Sequence, residues 1–280
     1  MDECLEMLDE SKECPADAIL VQQVRLQCIL DKAVRVSLDR GEARPPDIPG
    51  VLPPFYLKAL QSELAEVKRK IPPELQHNGR LSKRICVMSA NSLIEVVLFH
   101  VHCTELTIHG SALSKDPVRS GSHDFQRFET LYTCLGCVKS WFDVLLSLHP
   151  VQYASFSFAI FSHLVGCLVV LKELSTLDEP GWDRTLSRTT IDPLVTLDQV
   201  IKNLKQVNAA AGIEDDDAEG NYFNQLVKKF SGLKTKYEEA VDAMPMENDP
   251  SIHNVEMMPE LNIDFSANMW MPDIFGSWNC

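Results

Sequence analysis

Apolar residues recur along the chain at steps of three and four, the period of helices that bury one side. The clearest run is Leu57, Leu60, Leu64, Val67 and Ile71. It predicts a helix over about 55–71, ended by Pro72 and Pro73, with Glu66 and Lys70 paired at i, i+4 on its outer face. A second run, Leu194, Leu197, Ile201 and Leu204, follows Asp192-Pro193, a capping residue and a first-turn proline. A third, Phe223, Leu226, Phe230, Leu233 and Tyr237, predicts a helix over about 221–242. Pro15 opens another that runs to about Asp39; its Leu20, Val24, Ile29, Ala33 and Val36 spread widely, as in a helix buried on more than one side. Further helices are expected at 89–108, 124–148 and 151–175, the last two separated by Pro150.

Between these elements lie connectors: the proline-rich GEARPPDIPGVLPPF, the polar stretch 110–123 and the acidic GIEDDDAEG. No run alternates with the period of a strand, and no repeat is visible. The fold class expected is therefore all-α, a multi-helix, bundle-like domain over 15–242 behind an acidic segment, 1–14. From about 243 the character changes. Between Tyr237 and Cys280 there are nine acidic residues and no Lys or Arg, so 243–280 reads as a disordered acidic and aromatic tail.

Composition narrows the function. Of 280 residues, 45% are hydrophobic, enough for a core. The net charge of −14 opposes phosphate binding, which needs clustered Lys and Arg, and favours basic or apolar protein partners. The nine cysteines are odd in number and scattered, several within apolar runs, which suits reduced thiols in cytosol or nucleus. The acidic N-terminus is unlike a signal peptide. The most apolar stretch, Phe158 to Leu171, contains Ser162 and His163 and is shorter than the ~20 residues of a membrane span, so it reads as a core helix.

Candidate chemistry is sparse. Cys134 and Cys137 form one Cys-x-x-Cys pair, whereas a structural zinc site takes four ligands. Within a helix both thiols face one side and serve as packing. His100 and His102 stand two residues apart, pointing nearly oppositely on a helix, and cannot share a metal there. No glycine-rich phosphate loop, Gly-x-Ser-x-Gly elbow or His-Glu-x-x-His motif occurs. The expectation is a protein that is not an enzyme. Composition alone equally admits a helical protein-interaction or small-ligand-binding domain with no role in transcription.

One stretch carries more. LDEPGWDRTLSRTTIDPLVTLDQVIKNL, residues 177–204, resembles the regulatory region of fungal zinc binuclear-cluster transcription factors. There a long helix ends in a Leu-Ser-x-Leu stretch, followed by a Gly-Trp-Asp turn and an Arg-x-Thr-x-Asp stretch. Here these are LKELSTL, then Gly181, Trp182 and Asp183, then Arg188, Thr190 and Asp192. LIEVVLFHVHCTELTIHGSAL and FETLYTCLGCVKSWFDVLLSLHPVQYASFSFAIFSHL are similar to helices upstream in that family, and MWMPDIFGSWN to its closing motif. The resemblance implies a transcription regulator in the nucleus, an activator controlling a metabolic gene cluster, with 15–242 as regulatory domain. The partners it implies are coactivator proteins, a small apolar effector and a second copy of the chain. The family's zinc belongs to a six-cysteine DNA-binding module that this chain does not show, so no residue here is assigned to zinc or DNA, and no cofactor is expected. Trp182 is expected to pack on the bundle, with Asp183 starting the next short segment. In the tail, Trp270, Ile274 and Trp278 fall at i, i+4 and i+8 with Phe275 beside them. Acidic segments with apolar residues at helical spacing fold into grooves on partners, so these four residues are the candidate partner-binding, activating contacts.

Overall fold

The structure is a computed structural model and describes residues 2–11, 15–39, 54–71, 88–113, 124–213 and 221–242. The described residues are mostly helical and include no strand. The chain divides into two compact units, Met1–Leu148 with Phe158–Ile191, and His149–Ser157 with Asp192–Cys280.

The first unit holds α1 (Asp2–Ser11), α2 (Pro15–Asp39), α3 (Pro54–Lys70), α4 (Met88–His109) and α5 (Asp124–Ser147). Farther along the chain it also takes in α7 (Phe158–Thr176) and α8 (Arg184–Thr190). Helix α4 lies against α2, α3, α5 and α7, which explains its composition: it is apolar on nearly every side. One cluster joins Leu26, Ile29 and Ala33 of α2 to Leu60, Leu64 and Val67 of α3, with Ile71 just beyond its end and Val97, Val101 and Ile108 of α4. The expected seam of α3 is thus core, with Leu57 partly buried at its edge. The seam of α2 is narrower than expected. Gln22, Leu26, Ile29 and Ala33, at steps of four and three, are buried with Val21 beside them, while Leu20 is 48% exposed. Trp141 of α5 anchors the other side of α4, its ring 4.9 Å from Phe99 and edge-on to Phe142 at 5.3 Å.

Helix α7 is long and apolar enough to cross a membrane by composition. Its Ile160, Phe161, Leu164, Val165, Leu168, Leu171 and Leu174 are buried inside the protein, as expected of a core helix.

The expected helix over 151–175 is in fact two. His149 caps α6 (Pro150–Tyr153) through a capping box with Gln152, and helix resumes only at Phe158. The N–H groups of Ala154, Ser155 and Phe156 each donate to the carbonyl three residues back, and the Ser155 hydroxyl also donates to the Gln152 carbonyl. These tight i→i−3 bonds end the helix without proline or glycine.

The second unit pairs α6 with α9 (Pro193–Ala211) and α9 with α10 (Tyr222–Asp242). The Tyr153 hydroxyl accepts from the Asn203 amide at 3.0 Å. Asp192 caps α9, its carboxylate accepting from the Val195 N–H at 2.9 Å with Pro193 in the first turn, as expected. At the other end Gly212 takes the left-handed conformation, φ 66°, that closes a helix cheaply only in glycine. The expected seam, Leu197, Ile201 and Leu204, is buried together with Val200 and Val207. Leu194 is half-buried. Phe223, Leu226, Phe230 and Tyr237 of α10 are buried as well.

Candidate functional site

The resemblance rests most heavily on the turn between α7 and α8, and this turn is densely built. The Trp182 ring is 6% exposed and lies 4.8 Å from Tyr132 of α5. Its indole N–H donates to the Leu174 carbonyl at 2.8 Å, and its backbone N–H to the Glu179 carbonyl at 3.0 Å. Gly181 precedes it at φ 95°, and a Cβ there would stand 3.1 Å from the Phe128 ring. Both the backbone angle and the ring demand glycine. Asp183 caps α8, accepting from the Leu186 N–H at 2.8 Å.

Polar contacts tie the turn to the helices around it. The Arg127 guanidinium reaches Glu179 at 2.9 Å, both side chains being mostly buried. Arg188 donates to the Ser175 carbonyl at 3.1 Å, and Arg184 pairs with Asp178 at 2.6 Å. Trp182 therefore packs as expected and Asp183 starts the next segment. The partners Phe128, Tyr132 and Arg127 were not foreseen; the signal available was two aromatics at i, i+4 on α5. Beside them Phe128, Glu129, Tyr132 and Thr133 line a depression of 490 Å³ that is open to solvent. Ligand pockets bury most of a small molecule, and this one does not.

A second group of chemically capable side chains lies inside the first unit. Cys134 and Cys137 are both buried on α5, on the packing side expected of them. Burial pushes the Cys103 and Cys134 thiols up to about 12, and raises Cys137 and Cys167 as well. At neutral pH they stay protonated, and a protonated thiol is a weak nucleophile. His100 of α4 stands edge-on to His163 of α7 at 5.0 Å. His102, two residues on, feels a different set of neighbours: Glu105, Lys68 and Asp143. Burial lowers all four imidazoles of the group, His102 and His163 to about 4 and His100 and His109 by less, so each is neutral. Burial alone lifts Glu95 to about 7. Burial works to raise Glu105 too, but its pairing with Lys68 and a hydrogen bond from the Cys137 thiol outweigh it and leave the carboxylate low. Among the described residues no group of three His, Cys, Asp or Glu side chains is placed to hold a metal ion. The imidazoles and thiols of this group are neutral and packed, while Glu105 is the ionised partner of Lys68. The tail residues Trp270, Ile274, Phe275 and Trp278 lie outside the described residues.

Comparison with known proteins agrees with the resemblance as far as fungal transcription factors in general. A family model described as the ATEG07667_C C-terminal domain matches residues 150–279. The transcription factor opdL of Penicillium oxalicum is 32% identical over 237 residues, which cover 85% of this chain and 39% of that protein. A protein named transcription factor from Aspergillus terreus is 27% identical over 243 residues, 82% of this chain and 38% of its own length. The chain thus spans about two-fifths of the length of these relatives. No solved structure matches it. Over most of its length the chain is similar to fungal proteins named transcription factors.

Proposed function

We propose that this chain is a regulatory and activating part of a fungal transcription regulator of the zinc-cluster kind, acting in the nucleus on a metabolic gene cluster. The observation that carries the reading is the likeness over 85% of the chain to a protein named a transcription factor. The chemistry supports it in a second way: the imidazoles and thiols inside the first unit are buried and packed, as in a scaffold. A charge of −14 also suits protein contacts better than phosphate contacts.

In this reading the helical units are a scaffold and the acidic tail is the effector arm. Trp270, Ile274, Phe275 and Trp278 insert into an apolar groove of a coactivator, while Asp264 and Asp273 keep the arm soluble. Pro272 suits the first turn of the short helix that forms there on binding. Fusing residues 243–280 to an unrelated DNA-binding domain with its own nuclear address tests the arm. Reporter activation is expected, and Trp270→Ala with Phe275→Ala should abolish it. Activity that survives the double substitution, or no activity at all, rejects the reading.

A further inference from the structure

Acidic residues fill 40 of the 280 positions, yet none falls in α9 after Asp198 or in α10 before Glu238. The same stretches carry Lys202, Lys205, Lys228, Lys229, Lys234 and Lys236, so the sign of the charge reverses here. The Lys234 ammonium, late in α10, reaches Asp198, early in α9, at 2.8 Å, and Glu238 of its own helix at 3.3 Å. The two helices therefore run antiparallel, with this ion pair at one end of the hairpin. Along α9, Lys202 and Lys205 follow Asp198 at i+4 and i+7 and share its face. Asn203 between them turns the other way and donates to Tyr153 of α6. Lys228 lies earlier on α10, toward the end of the hairpin where Lys205 stands. All three lysines are exposed, and among the described residues no carboxylate forms an ion pair with any of them.

We propose that Lys202, Lys205 and Lys228 form a docking face for a short acidic segment of a partner protein. Its carboxylates supply the ion-pair partners that the described part of the chain does not. Three features favour such a segment over a nucleic acid. Neither helix contains arginine, whose planar fork matches a phosphate in two places, whereas lysine is a point charge that one carboxylate satisfies. The rings of Phe223, Phe230 and Tyr237 are buried and leave no platform on which a base could stack. A nucleic acid is also an extended polyanion and meets the rest of a chain of net charge −14, while a short acidic segment covers only the lysines. The inference goes beyond the activating arm and does not depend on it.

The test uses the full chain and a fluorescently labelled oligoglutamate peptide, followed by anisotropy at low and at physiological salt. The parent should bind the peptide, more weakly as salt rises. Lys202→Glu with Lys205→Glu should weaken binding by about tenfold, since two attractive pairs become repulsive. Lys202→Arg with Lys205→Arg keeps the charge and should bind as the parent does. Lys236→Glu, more than two turns of helix from Lys228, is the control and should also bind as the parent does. Carbodiimide, which joins a carboxylate to an amine it touches, should link the peptide to Lys202, Lys205 or Lys228 rather than to Lys236. The melting temperature of the double glutamate variant should not change, because Lys202 and Lys205 are exposed. A parent that does not bind the peptide overturns the proposal, and so does undiminished binding by the double glutamate variant. An equal loss in Lys236→Glu would show general attraction to lysine instead of a docking face. Tighter binding of a DNA duplex or an RNA strand than of the peptide through these lysines would also overturn it.

Discussion

The two units are built on different principles. In the second, α9 buries a plain aliphatic seam against the aromatic seam of α10, and both ends of α9 are closed by the residues that close helices best, Asp192 with Pro193 and Gly212. In the first, α4 passes through the middle of the unit and carries His100, His102, Glu105 and the buried Thr104 among its apolar residues. The indole N–H of Trp141 and Nδ1 of His102 are buried without a hydrogen-bond partner among the described residues. A buried polar group without a partner costs stability, so these two atoms subtract from the stability of the first unit. Packing of large aromatic side chains must offset that loss.

The sharpest test of this contrast is deletion of the aromatic anchor. Trp141 is fully buried between Phe99 and Phe142, and Trp141→Ala should cost ~3–5 kcal/mol. Trp141→Phe keeps most of the packing and removes the unpaired N–H, so it should cost far less than the alanine variant. In the second unit Leu197→Ala should cost ~2–5 kcal/mol. Urea unfolding of the three variants measures all of this. A loss below about half a kilocalorie at either alanine site would show that the side chain is not core.

The same contrast explains what could be read in advance. The seams Leu57 to Ile71, Leu197 to Leu204 and Phe223 to Tyr237 are narrow stripes on helices with one wet face, and period alone reveals them. Helix α4 is apolar all round, so period says nothing about which residues meet which neighbour. That information lies in its contacts with α2, α3, α5 and α7, all on other segments of the chain. The break after Tyr153 was missed for another reason. The segment YASFSF has no proline or glycine, and what ends α6 is a set of local hydrogen bonds together with the Tyr153 contact to Asn203. The packed Trp182 was foreseen from the family resemblance, but its neighbours Tyr132 and Phe128 belong to a helix far upstream.

Acid should separate the units next. The folded-state values of His102 and His163 are about 4 against an ordinary 6.5. Between those pH values the unfolded chain takes up protons that the folded chain refuses. The stability contributed by these neutral imidazoles is therefore full above pH 6.5 and is lost as pH falls toward 4. His100 and His109 act in the same direction. Glu95, raised to about 7 from 4.5, acts oppositely: it costs stability as pH rises from 4.5 to 7. Hydrogen exchange at pH 5 should therefore show lost protection in α4, α5 and α7 but not in α9 and α10. Glu95→Gln should stabilise the protein at pH 8 and make little difference at pH 4. Equal loss of protection in both units at pH 5 would mean that the buried imidazoles do not set the acid response.

The smallest effect compares the two capping aspartates, Asp183 at α8 in the first unit and Asp192 at α9 in the second. Each accepts one hydrogen bond from a first-turn N–H, so by local geometry each is worth ~1 kcal/mol, and alanine at either position should cost about that. The consequences should differ in reach. Helix α9 is 19 residues long with its seam fixed on α10, so Asp192→Ala should fray only the turn around Val195 and leave Leu204 protected from exchange. Helix α8 has seven residues and little buried surface of its own beyond Ser187. Its first turn follows directly on Trp182, and Arg188 ties its far end to Ser175. Asp183→Ala should therefore expose the amides of the whole helix and loosen the Trp182 ring, seen as a change in its fluorescence. Asparagine accepts the same hydrogen bond, and Asp183→Asn should restore both signals. If Asp183→Ala frays α8 while the fluorescence of Trp182 stays unchanged, the turn is held by its contacts with Tyr132 and Leu174 alone and the cap serves only its own helix.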